Sequence, residues 1–157
     1  MESPILPERL IADLQKVLPE DAVIIADPGT PCPYVSAYYE LPKAGRYFIS
    51  NRAHGALGYS LSATVGAAYG RPNSKIVGIM GDGSFGFTVG ELETIVRYNI
   101  PVTLIVCSNS TYGWIKAGQK TGFGERYFSV DFNRTRHSAV AEAYGMQGFR
   151  VEDPAEL

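Results

Sequence analysis

The chain has 157 residues, 45% hydrophobic and 19% charged, which is enough apolar content for one core of ordinary size and too much for a disordered chain. Fourteen basic against sixteen acidic residues leave a net charge of −2, so no electrostatic footprint for nucleic acid exists. No apolar run approaches the ~20 residues of a membrane-spanning helix, and the start, Met1-Glu2-Ser3-Pro4, carries no basic or apolar signal region. Cys32 and Cys107 make neither a disulfide framework nor a zinc spacing. They read as buried free thiols, and a cytoplasmic protein with no nucleic-acid or membrane partner is expected.

In chain order, Leu6, Leu10, Ile11, Leu14 and Val17 recur at helical spacing, with Pro7 acceptable in the first turn. Val23 to Ala26 is a short apolar run, as expected of a strand covered on both faces. It ends in Asp27-Pro28-Gly29-Thr30-Pro31-Cys32-Pro33, which cannot continue a strand. A short helix over Tyr34 to Tyr39 and a strand over Tyr47 to Ile49 are predicted next. From His54 to Gly70 glycine and alanine are dense. A helix that accepts glycine at about 1 kcal/mol each is one packed close to another backbone or to a ligand. Lys75 to Met80 then reads as a strand, Gly81 to Gly86 as a loop, and Thr88 to Tyr98 as a helix with Thr88 and Glu91 in a capping box. Pro101 to Cys107 is the next strand and Ser108 to Gly113 the next loop. A helix over Arg136 to Tyr144, with His137 on its surface, and a strand over Phe149 to Val151 follow. Asp153-Pro154 then opens a helix that the chain does not finish, so a single domain over residues 1–157, cut short at its C-terminus, is expected. The alternation of strands and helices predicts an α/β fold, a parallel sheet with helices on both faces.

Ligands of parallel sheets bind outside the carboxyl ends of the strands. Asp82 and Asn109 each fall just after a predicted strand, and the 26 residues between them hold one helix and one strand. Both side chains are therefore expected on the same rim. One carboxylate and one amide oxygen suit Mg²⁺ and substrate phosphates better than zinc. The glycines around Asp82 let backbone N–H groups approach those phosphates.

Gly81-Asp82-Gly83-Ser84-Phe85, followed after 23 residues by Asn109, resembles the cofactor signature of thiamine-diphosphate enzymes. The wider match is to the diphosphate-binding domain of the acetolactate synthase and benzoylformate decarboxylase group. Glu91 to Ile95, Tyr98 to Val102, Asn109 to Gly113 and His54-Gly55-Ala56-Leu57-Gly58 carry it, and it extends from about Asp27 to Val151. The resemblance implies a thiamine-diphosphate-binding fold, with Asp82, Asn109 and the main-chain carbonyl of Thr111 as Mg²⁺ ligands. It implies that Gly83, Ser84, Gly29 and Thr30 hold the diphosphate, although Thr30 also reads as a turn former. The Gly55 carbonyl would accept from the cofactor's exocyclic amine, and Leu57 would be the apolar wedge that bends the cofactor. Ser108 departs from the family pattern, in which a first asparagine is usual, and this puts a supporting contact in doubt. Tyr112 and Trp114 flank the metal loop, either as the floor of a substrate pocket or as plain packing. No catalytic acid or base is assigned.

By the same resemblance the chain is a domain or subunit of a 2-oxo acid decarboxylase or carboligase, a lyase or transferase component in an oligomeric enzyme. It would need a pyrimidine domain, from a partner subunit or the remainder of a longer polypeptide, to supply the glutamate that protonates the cofactor. Alone it should be nearly inert. One alternative is a non-catalytic cofactor-binding or assembly subunit. Another is a Rossmann-type NAD or FAD domain, because Gly81-x-Gly83-x-x-Gly86 fits the dinucleotide fingerprint. That reading expects an acid after the next strand, where Cys107-Ser108-Asn109-Ser110 has none.

Overall fold

A computed structural model describes residues 4–157. Four parallel strands, β1 (Val23–Ala26), β2 (Phe48–Ile49), β3 (Ile76–Gly81) and β4 (Val102–Cys107), form one sheet in the order β2-β1-β3-β4. Ile24 pairs with Phe48 and Val77, and Gly81 with Cys107. The helices are α1 (Pro7–Val17), α2 (Pro31–Tyr38), α3 (Tyr59–Gly70), α4 (Asp82–Thr88), α5 (Glu91–Arg97), α6 (Gly113–Gly122) and α7 (His137–Ala143).

Alternation along the strands divides the core into two halves. Val23, Ile25, Ile76 and Met80 point to one face, where Leu61 of α3, Phe85 of α4 and Leu92 and Ile95 of α5 cover them. Ile24, Ala26, Val77 and Ile79 point to the other, against Ile11 and Leu14 of α1 and Cys32 and Val35 of α2. Helices therefore lie on both faces. The glycine-rich α3 packs close because β3 has Gly78 at its centre, where an added Cβ would lie 2.6 Å from Cγ2 of the fully buried Thr64.

Several local expectations fail. The helix expected from His54 begins only at Tyr59, after Gly58 turns at φ 86°. Residues Gly81 to Gly86 are not a loop, since α4 starts at Asp82 as soon as β3 ends. Thr88 therefore ends α4 and caps nothing; its hydroxyl donates to the Gly58 carbonyl at 3.0 Å. Glu91 accepts from Thr94 Oγ1 instead of closing a capping box. Helix α2 begins at Pro31, ahead of Tyr34, and α6 was not expected at all. No strand forms at Phe149 to Val151, where Phe149 stands 81% exposed. Cys32 is buried, but Cys107 is exposed. His137 is half-buried, edge-on to Phe85 at 5.5 Å. Burial draws its pKa below the ordinary histidine value, and the Asp82 charge opposes that. The opening at Asp153 is a single 3-10 turn, Pro154–Glu156, capped by Asp153 Oδ1 accepting from Ala155 N at 2.9 Å. Among the described residues no helix is long and apolar enough to cross a membrane.

Candidate cofactor site

The strand order places a topological switch point between β1 and β3. The chain leaves β1 for β2 on one side and returns to β3 on the other, which opens a crevice at their carboxyl ends. Four segments meet on that rim: Asp27 to Thr30 after β1, Ser50 to Gly58 after β2, the start of α4 after β3, and Ser108 to Tyr112 after β4.

Asp82, 6% exposed, is the centre of the arrangement. Its Oδ1 accepts from Gly83 N at 2.8 Å. Its Oδ2 accepts from Asn109 N at 2.8 Å, Ser110 N at 2.6 Å and Ser108 Oγ at 3.2 Å. One carboxylate thus joins the loops after β3 and β4. Ser108, the position that departs from the family pattern, makes its own contact with that carboxylate. Asn109 Oδ1 accepts from Thr111 N at 3.1 Å, a local turn that fixes the side chain.

The loop after β4 is clamped from outside by a segment that sequence reasoning missed. Tyr112 N donates to Val130 O at 2.9 Å, Thr111 Oγ1 to the same oxygen at 3.0 Å, and Phe132 N to Ser110 O at 3.0 Å. Thr111 and Asp131 form an antiparallel bridge. Lys116 Nζ lies 2.7 Å from Asp131 Oδ1, and this pairing holds the Asp131 carboxyl below its ordinary pKa. Ser110 adopts φ 57°, a conformation few non-glycine residues take, where its N–H meets Asp82 and its carbonyl meets Phe132.

The other predicted residues gather around this centre. A Cβ added at Gly113 would lie 3.3 Å from Thr30 Oγ1 and 3.8 Å from Asn109 Nδ2, so the loops after β1 and β4 adjoin. Thr30 precedes α2 without a side-chain capping bond. A Cβ at Gly29 would lie 3.7 Å from Leu57 Cδ2, so the first loop and the turn before α3 adjoin as well. Gly55 turns at φ 66° and donates to Asn51 O at 3.0 Å. Ser84 is buried in the first turn of α4. The Tyr112 ring leans on Phe132 at 5.1 Å and covers Gly83. Trp114 is 55% exposed.

The donor set is oxygen: one carboxylate, one side-chain amide and main-chain carbonyls, which suits a hard divalent cation. No group of three or more His, Cys, Asp or Glu that could hold a metal exists among the described residues. Asp27 Oδ1, Ser50 Oγ and Asn51 Oδ1 are buried without a hydrogen-bond partner. Ser50 and Asn51 lie just beyond β2, on the rim where a bound polar group would satisfy them, whereas Asp27, after β1, is fully buried.

Residues 27–157 match the family described as thiamine pyrophosphate enzyme, C-terminal TPP binding domain. The chain belongs to this family. The curated relatives include an acetolactate synthase of Bacillus subtilis, 32% identical over 151 residues, which cover 96% of this chain and 26% of that protein. A sulfoacetaldehyde acetyltransferase of Roseovarius nubinhibens is 34% identical over 146 residues, covering 92% of this chain and 24% of that one. Among solved structures, the thiamine diphosphate-dependent 4-hydroxybenzoylformate decarboxylase of Rhodococcus jostii RHA1 superposes with a TM-score of 0.90 at 25% identity. That match covers 99% of this chain and 29% of the decarboxylase. This thiamine-pyrophosphate-binding domain thus spans about a quarter of the length of its curated relatives. The family match goes against the Rossmann alternative.

Proposed function

We propose that this chain is the diphosphate-binding part of a 2-oxo acid decarboxylase or carboligase of the acetolactate synthase type, holding thiamine diphosphate through Mg²⁺. The observation that carries the reading is the Asp82 carboxylate, which gathers the amides of Gly83, Asn109 and Ser110 and the Ser108 hydroxyl on the rim at the switch point. In this reading Asp82, the Asn109 amide oxygen and the Thr111 carbonyl take the cation. The Gly29, Thr30, Gly83 and Ser84 segments surround the diphosphate. The Gly55 carbonyl receives the exocyclic amine, and Leu57, beside Gly29, keeps the cofactor bent.

When bound, thiamine diphosphate supplies a nucleophilic carbon for carbonyl addition and an electron sink after carbon–carbon cleavage. The residues of this chain contribute anchoring and orientation. Asp82 gathers the loops after β3 and β4 through its four donors, and the clamp by Val130 and Phe132 fixes the carbonyl of Thr111. In this reading no proton donor to the cofactor is assigned among the described residues, and a pyrimidine domain elsewhere in the enzyme supplies it.

Asp82→Ala in the complete enzyme should weaken Mg²⁺-dependent binding of thiamine diphosphate by about 100-fold or more, with the far-ultraviolet circular dichroism unchanged. Calorimetric titration checks this. An unaltered affinity in the folded variant would remove Asp82 from the site. Retained binding with no turnover of any 2-oxo acid by the complete wild-type protein would favour the non-catalytic alternative.

A further inference from the structure

Two carboxylates are buried among the described residues, Asp82 and Asp27, and the reading of the site uses only the first. Asp27 is 0% exposed at the end of β1. Its main chain is fixed within its own half of the fold, with its N–H donating to Ile79 O at 3.0 Å and its carbonyl accepting from Cys32 N at 3.1 Å. Its side chain runs the other way, into α3. Oδ2 accepts from Ser60 Oγ at 2.6 Å, both groups fully buried, while Oδ1 has no partner. Burial pushes the Asp27 pKa up, and Ser60 and the amides of Gly58, Tyr59 and Ser60 at the start of α3 oppose that.

A buried carboxylate is expensive unless its bonds do something that an apolar residue could not. Here they fasten the first turn of α3 to β1. The turn from Gly55 to Gly58 lies immediately before that point and is braced from two further sides. Asn51 Nδ2 donates to Ala56 O at 3.1 Å, and Thr88 Oγ1 donates to Gly58 O at 3.0 Å. The Leu57 side chain within this turn adjoins Gly29. Arg52 Nη1 also donates to Pro28 O at 2.6 Å, a second tie between the same two loops.

We infer that Asp27 is a positioning residue: through Ser60 it sets the gap between the Leu57 turn and the Gly29–Thr30 loop, and with it the fit of the organic part of the cofactor beyond its diphosphate. The inference rests on the thiamine diphosphate reading above. It separates two ligands that share that reading. Inorganic pyrophosphate with Mg²⁺ needs only the anchoring end, whereas thiamine diphosphate with Mg²⁺ also needs the Leu57 turn in register.

The test is calorimetric binding of both ligands to the complete enzyme, with thermal unfolding measured in parallel. Asp27→Asn should raise the dissociation constant of thiamine diphosphate by about tenfold and that of pyrophosphate by less than about twofold. Ser60→Ala should move the same ratio in the same direction by less. Combining Asp27→Asn with Leu57→Ala should cost less than the two separate losses together, because both act through one turn. Equal weakening of the two ligands, or no change in either, would overturn the inference. If Asp27→Asn fails to fold, Ser60→Ala decides, and an unchanged ratio there counts against it. Wild-type enzyme that binds neither ligand would overturn the reading of the site itself, and the inference with it.

Discussion

Gly83 illustrates how tightly the site is determined at single residues. Its N–H donates to Asp82 Oδ1, and an added Cβ would lie 2.4 Å from Cε1 of the Tyr112 ring. The ring cannot retreat freely, because Phe132 supports it at 5.1 Å. Gly83→Ala should therefore cost about 1–3 kcal/mol of stability from overpacking. Tyr112→Leu in the same chain should recover part of that loss. Urea unfolding of the two single variants and the double variant measures the coupling, and simple additivity would mean that the ring does not meet the new methyl group. At this scale much of the candidate site was legible in the sequence. Asp82 and Asn109 stand out because each closes an apolar strand run and is followed by turn-forming residues. Asp27 closes such a run as well, and that position was the available signal. Its partner Ser60 is 33 residues away, and no local pattern announces the pairing.

At the scale of elements, β1 and β3 could be read because each is a run of buried apolar side chains, and α1 because Ile11 and Leu14 form a buried stripe at helical spacing. Helix α4 could not. Its sequence, Asp82 to Thr88, contains Gly83 and Gly86, so propensity argues for a loop, and tertiary packing of Phe85 against the sheet decides otherwise. Helix α6 was hidden for a related reason, since glycines bound it at Gly113 and Gly122, Gly118 interrupts it, and none of its residues is buried. Val130, by contrast, is 2% exposed and anchors the strap over the loop after β4, and its setting, Phe128-Ser129-Val130-Asp131-Phe132, alternates apolar and polar residues, a short period-2 signal that was available in the sequence. The close contact of α3 with β3 carries its own prediction. Gly78→Ala should destabilise the fold by about 1–3 kcal/mol, because its methyl group would meet Thr64 Cγ2. Thr64→Ser removes that Cγ2 and should restore part of the stability. Equal unfolding midpoints for wild type and Gly78→Ala would show that the contact yields without strain.

At the scale of the whole described chain, the sheet has two edges, the short β2 and the six-residue β4. Strand β4 pairs only with β3 among the described residues, and its apolar side chains are half-buried, unlike those of β1 and β3. From α6 onward Trp114, Ile115, Phe123, Phe128 and Phe149 are all more than half exposed, as are Val17, Tyr69 and Phe87 on earlier helices. Such apolar exposure is unusual for a surface that faces only water. It supports the proposal that the chain works against other domains, in keeping with its covering about a quarter of its curated relatives. The switch point between β1 and β3 explains why segments so far apart in sequence meet at one rim, which is where the proposed function puts the cofactor.

The most direct measurement is a crystal structure of the complete enzyme grown with Mg²⁺ and thiamine diphosphate. The account predicts a metal ion at about 2.0–2.1 Å from oxygens of Asp82, Asn109 and the Thr111 carbonyl, with the diphosphate between the Gly29–Thr30 and Gly83–Ser84 segments. A diphosphate bound away from the crevice between β1 and β3, or a metal held without Asp82 and Asn109, would contradict it.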